Sequence, residues 1–561
     1  MLAPLLFVAF QAQWAATAAS SDDQKCRLEG QVISASTGAP LKHASLYLQP
    51  MGPVNDGATR TVFTSSTDAE GKFVMQNVDP GTYVLIAQHA GFVQQQYGGR
   101  SANSGGTRLK LESGQSMKDL LFKLVPQAMI YGRVVDDDGQ GVPSARIQVQ
   151  RWAFFSGKKQ LRPVGGGMSQ ADGSFVIALN AGRVYLNSEP ILRMGEIEKA
   201  AGKTDDAFLT TYFPNALDLA SAAPVELQAG VEMRGIEIHM RRGRMHEIRG
   251  RVENTTSGPL PDGLSLYLLR KGETFFDGRN GFYVQGKSGV FLFKNVLPGD
   301  YVIQTLGGAT AITVDASGET RTMQLSGRVE VSVGDGDVEN VVLPLGPGLD
   351  IAGTIAMEGG TPQQQTSQPP NYRVNFSNAD GLMGYGFAQA QVSTEGNFRL
   401  HNVAPGAYRV NVNGTPDGSY VKAIRFGGED ITGKNLDLTS GAGGNLEIIV
   451  SPNAADVNGV VRNADGDAAS GVLVQAFLGD EMKRSANTDQ NGAFHFTSLA
   501  PGNYRVYAWE DVEPGLSEDP DFRKNFDGKA IEVKLEEKSH ESVEVNLIPK
   551  DAIEAEAAKV Q

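Results

Sequence analysis

Apolar and polar residues alternate in short runs along most of the chain. Phe73 and Met75 alternate with Lys72 and Val74, and Phe494 and Phe496 with Ala493 and His495. Tyr504, Val506 and Ala508 alternate with Arg505, Tyr507 and Trp509. A period of two with turn residues between the runs predicts half-buried strands of antiparallel sheets. Asp/Asn-Gly turns precede many of these runs, because glycine tolerates the positive φ of a tight hairpin. One stretch has helical spacing: Ile191, Met194 and Ile197 predict a helical insertion over 191–203. The Ala- and Glu-rich end, 551–561, is expected to be a disordered tail.

The pattern repeats. Pro80-Gly81-Thr82-Tyr83 returns as Pro298-Gly299-Asp300-Tyr301, Pro405-Gly406-Ala407-Tyr408 and Pro501-Gly502-Asn503-Tyr504, with a degenerate copy at Ala181-Gly182-Arg183-Val184-Tyr185. Upstream of each stands a turn glycine with phenylalanine two positions on: Gly71/Phe73, Gly173/Phe175, Gly289/Phe291, Gly396/Phe398 and Gly492/Phe494. Each unit opens on Gly-x-Val or a close variant, at Gly30, Gly132, Gly250, Gly353 and Gly459. Three phrases in the same order five times over define five homologous modules. Their boundaries fall at 25–126, 127–244, 245–345, 346–452 and 453–550. The repeated residues read as turn punctuation and core rather than as a site. Short linkers restrain neighbouring modules.

These phrases, with the Gly38-Ala39-Pro40-Leu41 and Gly141-Val142-Pro143 turns, resemble the carboxypeptidase regulatory-like domain. The resemblance is strongest in the first and fifth modules and weakest in the second, where Ala181 replaces proline. It implies an all-β protein: a tandem array of five antiparallel prealbumin-like (Ig-like) β-sandwiches. It also implies a grouping with carbohydrate-binding-like sandwiches, and similarity to exported bacterial multi-module proteins. The family name derives from a domain attached to metallocarboxypeptidases and implies no catalysis.

Composition narrows the function. Fifty Lys+Arg against 64 Asp+Glu give a net charge of −14, which disfavours nucleic acid and anionic membranes as partners. Glycine, 67 of 561 residues, fits many turns and small domains. The single cysteine, Cys26, excludes an internal disulfide framework and a multi-cysteine zinc site. An apolar run at 2–10 followed by Ala-rich residues to 19 is expected to be a signal peptide (1–19), although no Lys or Arg precedes it. It is too short to span a bilayer, and no later segment approaches that length.

No catalytic constellation assembles. None of the seven histidines begins a His-x-x-Glu pair, and neither a His-Glu-x-x-His nor a Walker-type loop is present. No cofactor or metal is expected. Asp136-Asp137-Asp138-Gly139 and Asn463 to Asp467 place oxygens as calcium loops do, but lack the EF-hand glutamate and sit where the family has a β-turn. The first strands carry no lysine at the place an isopeptide cross-link would need. Sugar binding needs exposed rings. By strand parity Trp509, Tyr507 and Arg505 share the face opposite Tyr504, and Trp152 shares parity with Gln148 and Gln150. Arg505, Tyr507, Trp509 and Trp152 are therefore the candidate ligand residues. The competing reading buries Trp509 against the loop carrying Phe522 and Phe526, and buries Trp152 at a module junction. The sequence thus describes an exported, elongated, non-catalytic array that binds a polysaccharide or other surface proteins; the alternative is a structural spacer or adhesin stalk, with an unrecognised hydrolase third.

Overall fold

The computed structural model describes residues 25–560 apart from 52–60, 102–103, 156–157, 190–206, 257, 262–263, 272–280, 285–287, 306–308, 315–319, 360–370, 380–387, 440 and 442. The expected signal peptide and the expected helical insertion at 191–203 lie outside the described residues.

The chain is mostly β, arranged as successive modules of paired sheets. The opening Gly-x-Val strand of each module is central. In the first module Cys26–Ser34 lies between the antiparallel Lys72–Val78 and the parallel Ser116–Leu124. The same parallel pairing of first and last strand recurs in the other four modules. The sandwiches are therefore not purely antiparallel. A parallel first and last strand means that the chain leaves a module at the end opposite to its entry, so the next module follows after a very short link, such as 125–127. Alternation along a strand cannot show this, because the side-chain period is two in either direction.

Each module has its own apolar core. The repeated phrases build it. The glycine of Gly-x-Val stands directly across the sheet from the repeated phenylalanine: Gly30 from Phe73, Gly132 from Phe175, Gly250 from Phe291, Gly353 from Phe398 and Gly459 from Phe494. The ring lies over the glycine, where a Cβ would come within 2.3–2.8 Å of it in every module. Such aromatic cover of a strand glycine pins register. The tyrosine of Pro-Gly-x-Tyr turns its hydroxyl back to a carbonyl four residues earlier: Tyr83 to Asp79 (2.9 Å), Tyr301 to Leu297 (2.9 Å), Tyr408 to Ala404 (2.5 Å) and Tyr504 to Ala500 (2.8 Å). This is a tyrosine corner. In the second module buried Val184 takes the tyrosine's place, and Arg151 donates instead to the Asn180 and Ala181 carbonyls, both at 2.9 Å.

The fifth module departs from the pattern. Its last strand, His540–Ile548, also pairs with Gly502–Trp509, so the two sheets merge into one of seven strands. The expected disordered tail is a helix, Lys550–Val560, that packs Ile553 into a second aromatic cluster outside the module's core. Ile553 supplies the apolar anchor that the Ala/Glu composition hid.

The array is not a row. Modules one and five meet: the backbones of Arg108 and Asp489 form an isolated parallel β-bridge, Lys110 N–H donates to Gln490 Oε1 and Gln490 Nε2 donates back to the Lys110 carbonyl, each at 3.1 Å, and Asn487 Nδ2 donates to the Gly106 carbonyl at 3.1 Å. The expectation of an elongated array is therefore corrected: the polar edges of modules one and five pair with each other.

Candidate functional site

In the fifth module the parity of the strand Gly502–Trp509 is as expected. Tyr504, Val506 and Ala508 enter the sandwich core, and Tyr507 and Trp509 point to the other side. That other side is covered. The segment 512–530 folds over it through a 3-10 turn at Leu516–Glu518 and a short helix at Pro520–Arg523. Trp509 is 0% exposed and Tyr507 1%. The two rings stack at 5.4 Å and 9°, and Phe526 meets Trp509 edge-on at 5.3 Å. The expectation of an outward ring platform at Tyr507 and Trp509 is therefore corrected: burying several large aromatic faces outweighs leaving them in water. The competing reading, Trp509 packed against the loop, is the one the structure displays.

Arg505 stays half-exposed, but it is paired: Nη1 lies 2.9 Å from Asp527 and Nε 3.5 Å from Glu532. Asp527 also accepts from the Tyr507 hydroxyl at 2.7 Å. Burial, with this bond and the nearby Asp527 charge, pushes the Tyr507 pKa up to about 12. Buried Arg523 closes the cluster. Its guanidinium sits 4.0 Å over the Phe477 ring and donates to Asp480 at 2.9 Å and to the carbonyls of Ser517 and Glu518. Sequence reasoning missed Asp527 and Arg523, since neither lies in a repeated phrase.

Glu510 and Asp511, just beyond Trp509, form a clasp. Glu510 pairs with Arg100 of the first module and accepts the Lys550 backbone N–H at 2.8 Å. Asp511 accepts from Ser101 Oγ at 2.8 Å and from Lys550 Nζ at 2.9 Å. The Asp511 carboxylate beside Lys550 holds that ammonium's pKa above its ordinary value. The second module joins the same region: Phe154, two residues after Trp152, is buried in the Trp509 cluster. Burial raises the pKa of Glu513 and lowers that of Arg151, and each group's charge opposes the other's shift.

Trp152 is 37% exposed, with Lys159 Nζ 5.5 Å from its ring centre. Of the four candidate residues the structure gathers Arg505, Tyr507 and Trp509 on one strand and leaves Trp152 on another module.

Other candidates resolve into local structure. Asp136 accepts from the N–H groups of Asp138 and Gln140, and Asn463 from those of Asp465 and Asp467, which are Asx turns. His239, His401 and His540 each meet a single carboxylate, Glu237, Asp350 and Asp456 respectively. Among the described residues no group of three or more His, Cys, Asp or Glu side chains could hold a metal, and no helix is long and apolar enough to cross a membrane.

The sequence model of the carboxypeptidase regulatory-like domain matches residues 27–118 and 456–513, in the first and fifth modules. Colossin-A of Dictyostelium discoideum is 24% identical over 274 residues, a match covering 46% of this chain and 2% of that protein. Similar solved structures include a streptococcal ancillary pilin, at 10% identity and a TM-score of 0.21, covering 58% of this chain and 99% of the pilin. They also include the major pilin subunit BcpA of Bacillus cereus, at 11% identity and a TM-score of 0.16, covering 57% of this chain and 99% of BcpA.

Proposed function

We propose that this chain is a non-catalytic, exported interaction protein: a closed body of five sandwich modules that presents its sheet faces to a polysaccharide or to other surface proteins. The observation that carries this reading is the clasp of Glu510 and Asp511 on Arg100 and Ser101. A stalk works by reach, and reach needs its first and last modules far apart. Here they touch, which favours a presenting body over the spacer. The repeated phrases go into register, corners and core, so the available chemistry is that of exposed faces, Trp152 foremost. Export rests on the apolar, Ala-rich start of the sequence.

The test is a screen of the full chain against a glycan array and against extracted surface proteins, beside a panel of peptidase and glycosidase substrates. Saturable binding without turnover is the expected result. Turnover of a substrate, or saturable binding to neither class, would overturn the proposal.

A further inference from the structure

The face that is buried in the fifth module is, among the described residues, partly exposed in the second. Counting from the corner glycines Gly502 and Gly182, Arg505 and Tyr507 correspond to Tyr185 and Asn187. In the fifth module that face lies under Phe522 and Phe526. In the second it carries Gln148, Gln150 and Trp152 on the strand Arg146–Phe155, with Asn187 directly across from Gln148 and Tyr185 across from Gln150. The opposite side chains, Ile147, Val149, Val184 and Leu186, fill the core. Gln148, Gln150 and Tyr185 are half-buried and Trp152 exposed.

The amides on this face are poorly satisfied. Asn187 Nδ2 reaches Gln148 Oε1 at 3.5 Å and Gln150 Oε1 at 3.4 Å, and Gln150 Nε2 reaches Gln148 Oε1 at 3.3 Å. These exceed the usual 2.7–3.2 Å of a good bond. Asn187 is 2% exposed, and its Oδ1 has no hydrogen-bond partner among the described residues. A buried acceptor left unpaired costs free energy, which a ligand's donor recovers once the flanking Gln148 and Gln150 side chains move aside to admit it.

We propose that this face, with Gln148, Gln150 and Asn187 as its floor and Trp152 and Tyr185 as its rings, binds a neutral polysaccharide. The inference rests on the interaction reading above and gives it a site. Amides donate and accept together, which suits hydroxyl groups. The rings suit the apolar C–H face of a sugar. At the end of the face Arg183 is paired with Glu226, so the charge there is already neutralised. The cation at the rings is Lys159, beside Trp152; the amide floor of Gln148, Gln150 and Asn187 offers a carboxylated or sulfated polymer only uncharged groups.

Affinity electrophoresis of the full chain in gels holding a neutral glucan, mannan or xylan, with alginate as the acidic control, tests this. Retardation by at least one neutral polymer is expected. A Gln148→Ala/Gln150→Ala double variant and Trp152→Ala should each weaken it by about tenfold or more, the loss of one or two such contacts. Trp152→Ala should keep the parent's unfolding midpoint, since its side chain is exposed; the double variant also strips both acceptors from buried Asn187 and should unfold somewhat earlier, so its binding is read well below its own transition. The bound polymer should also shield Trp152 from iodide quenching. Retardation that both variants retain would overturn this site while leaving the interaction reading in place. No retardation by any neutral polymer, or retardation by alginate alone, would overturn it as well, and the wider screen then decides the interaction reading separately.

Discussion

Gly459 and Phe494 face each other across the paired strands Ala455–Arg462 and Ala493–Leu499 of the fifth module, and the ring occupies the space a Cβ would need. A Cβ at position 459 would lie 2.4 Å from two ring carbons of Phe494 and 2.8 Å from the Val543 carbonyl oxygen. The ring could turn, but the carbonyl belongs to the neighbouring strand. One relationship thus explains two of the three repeated phrases, which stand more than thirty residues apart in the sequence.

Gly459→Ala should therefore destabilise the fifth module by ~1–3 kcal/mol, the usual cost of overpacking. Urea unfolding of the full chain in a Trp14→Phe/Trp152→Phe background, followed by Trp509 fluorescence, reads this module. Gly528→Ala is the control, because a Cβ there meets nothing within 4 Å. Equal midpoints for the two variants would contradict the packing argument.

Trp509 sits with Tyr507, Phe522 and Phe526 out of water. In a Trp14→Phe/Trp152→Phe background its emission should be blue-shifted and resist iodide. Trp509→Ala should cost ~3–5 kcal/mol, as for other buried aromatic deletions. Strong quenching by iodide would place the ring on the surface and contradict the covered face.

Tyr504 and Tyr507 both have pKa values raised from 10.0 to about 12, mainly by burial. Raised values mean that the folded module holds these protons more tightly than the unfolded chain does. Their contribution is complete below pH 10 and is lost as pH rises toward 12. The fifth module should therefore lose stability across that window, with tyrosinate absorbance appearing together with exposure of Trp509. Tyr504→Phe should flatten this dependence. It should also lower stability near neutral pH by ~1 kcal/mol or more, because the Ala500 carbonyl loses its hydroxyl partner. An unfolding profile independent of pH between 10 and 12 would contradict the assignment.

Much of the fold was legible because it is local. Period-two runs gave the strands, glycine turns gave the hairpins, and the repeats gave five modules. The face of each residue around Tyr504 also followed from parity. What parity cannot report is what lies over a face. Segment 512–530 covers Trp509 with Phe522 and Phe526, and Phe154 arrives from a module some 350 residues away. Asn187 escaped notice for the same reason: its place beside Gln148 and Gln150 depends on strand pairing across the corner. The parallel last strand and the helix at Lys550–Val560 were likewise set by non-local contacts.

The clasp between the first and last modules, Arg100 with Glu510 and Ser101 with Asp511, is the central claim, and small-angle scattering of the full chain tests it most directly. Strands of about nine residues make each module ~30 Å long, so five in a row would reach ~150 Å. The closed body should give a pair-distance distribution that ends well short of that length. An Asp511→Lys/Glu510→Lys variant, which turns both acceptors into cations facing Arg100, should extend it. A wild-type particle already reaching the full length of a row would contradict the closed arrangement.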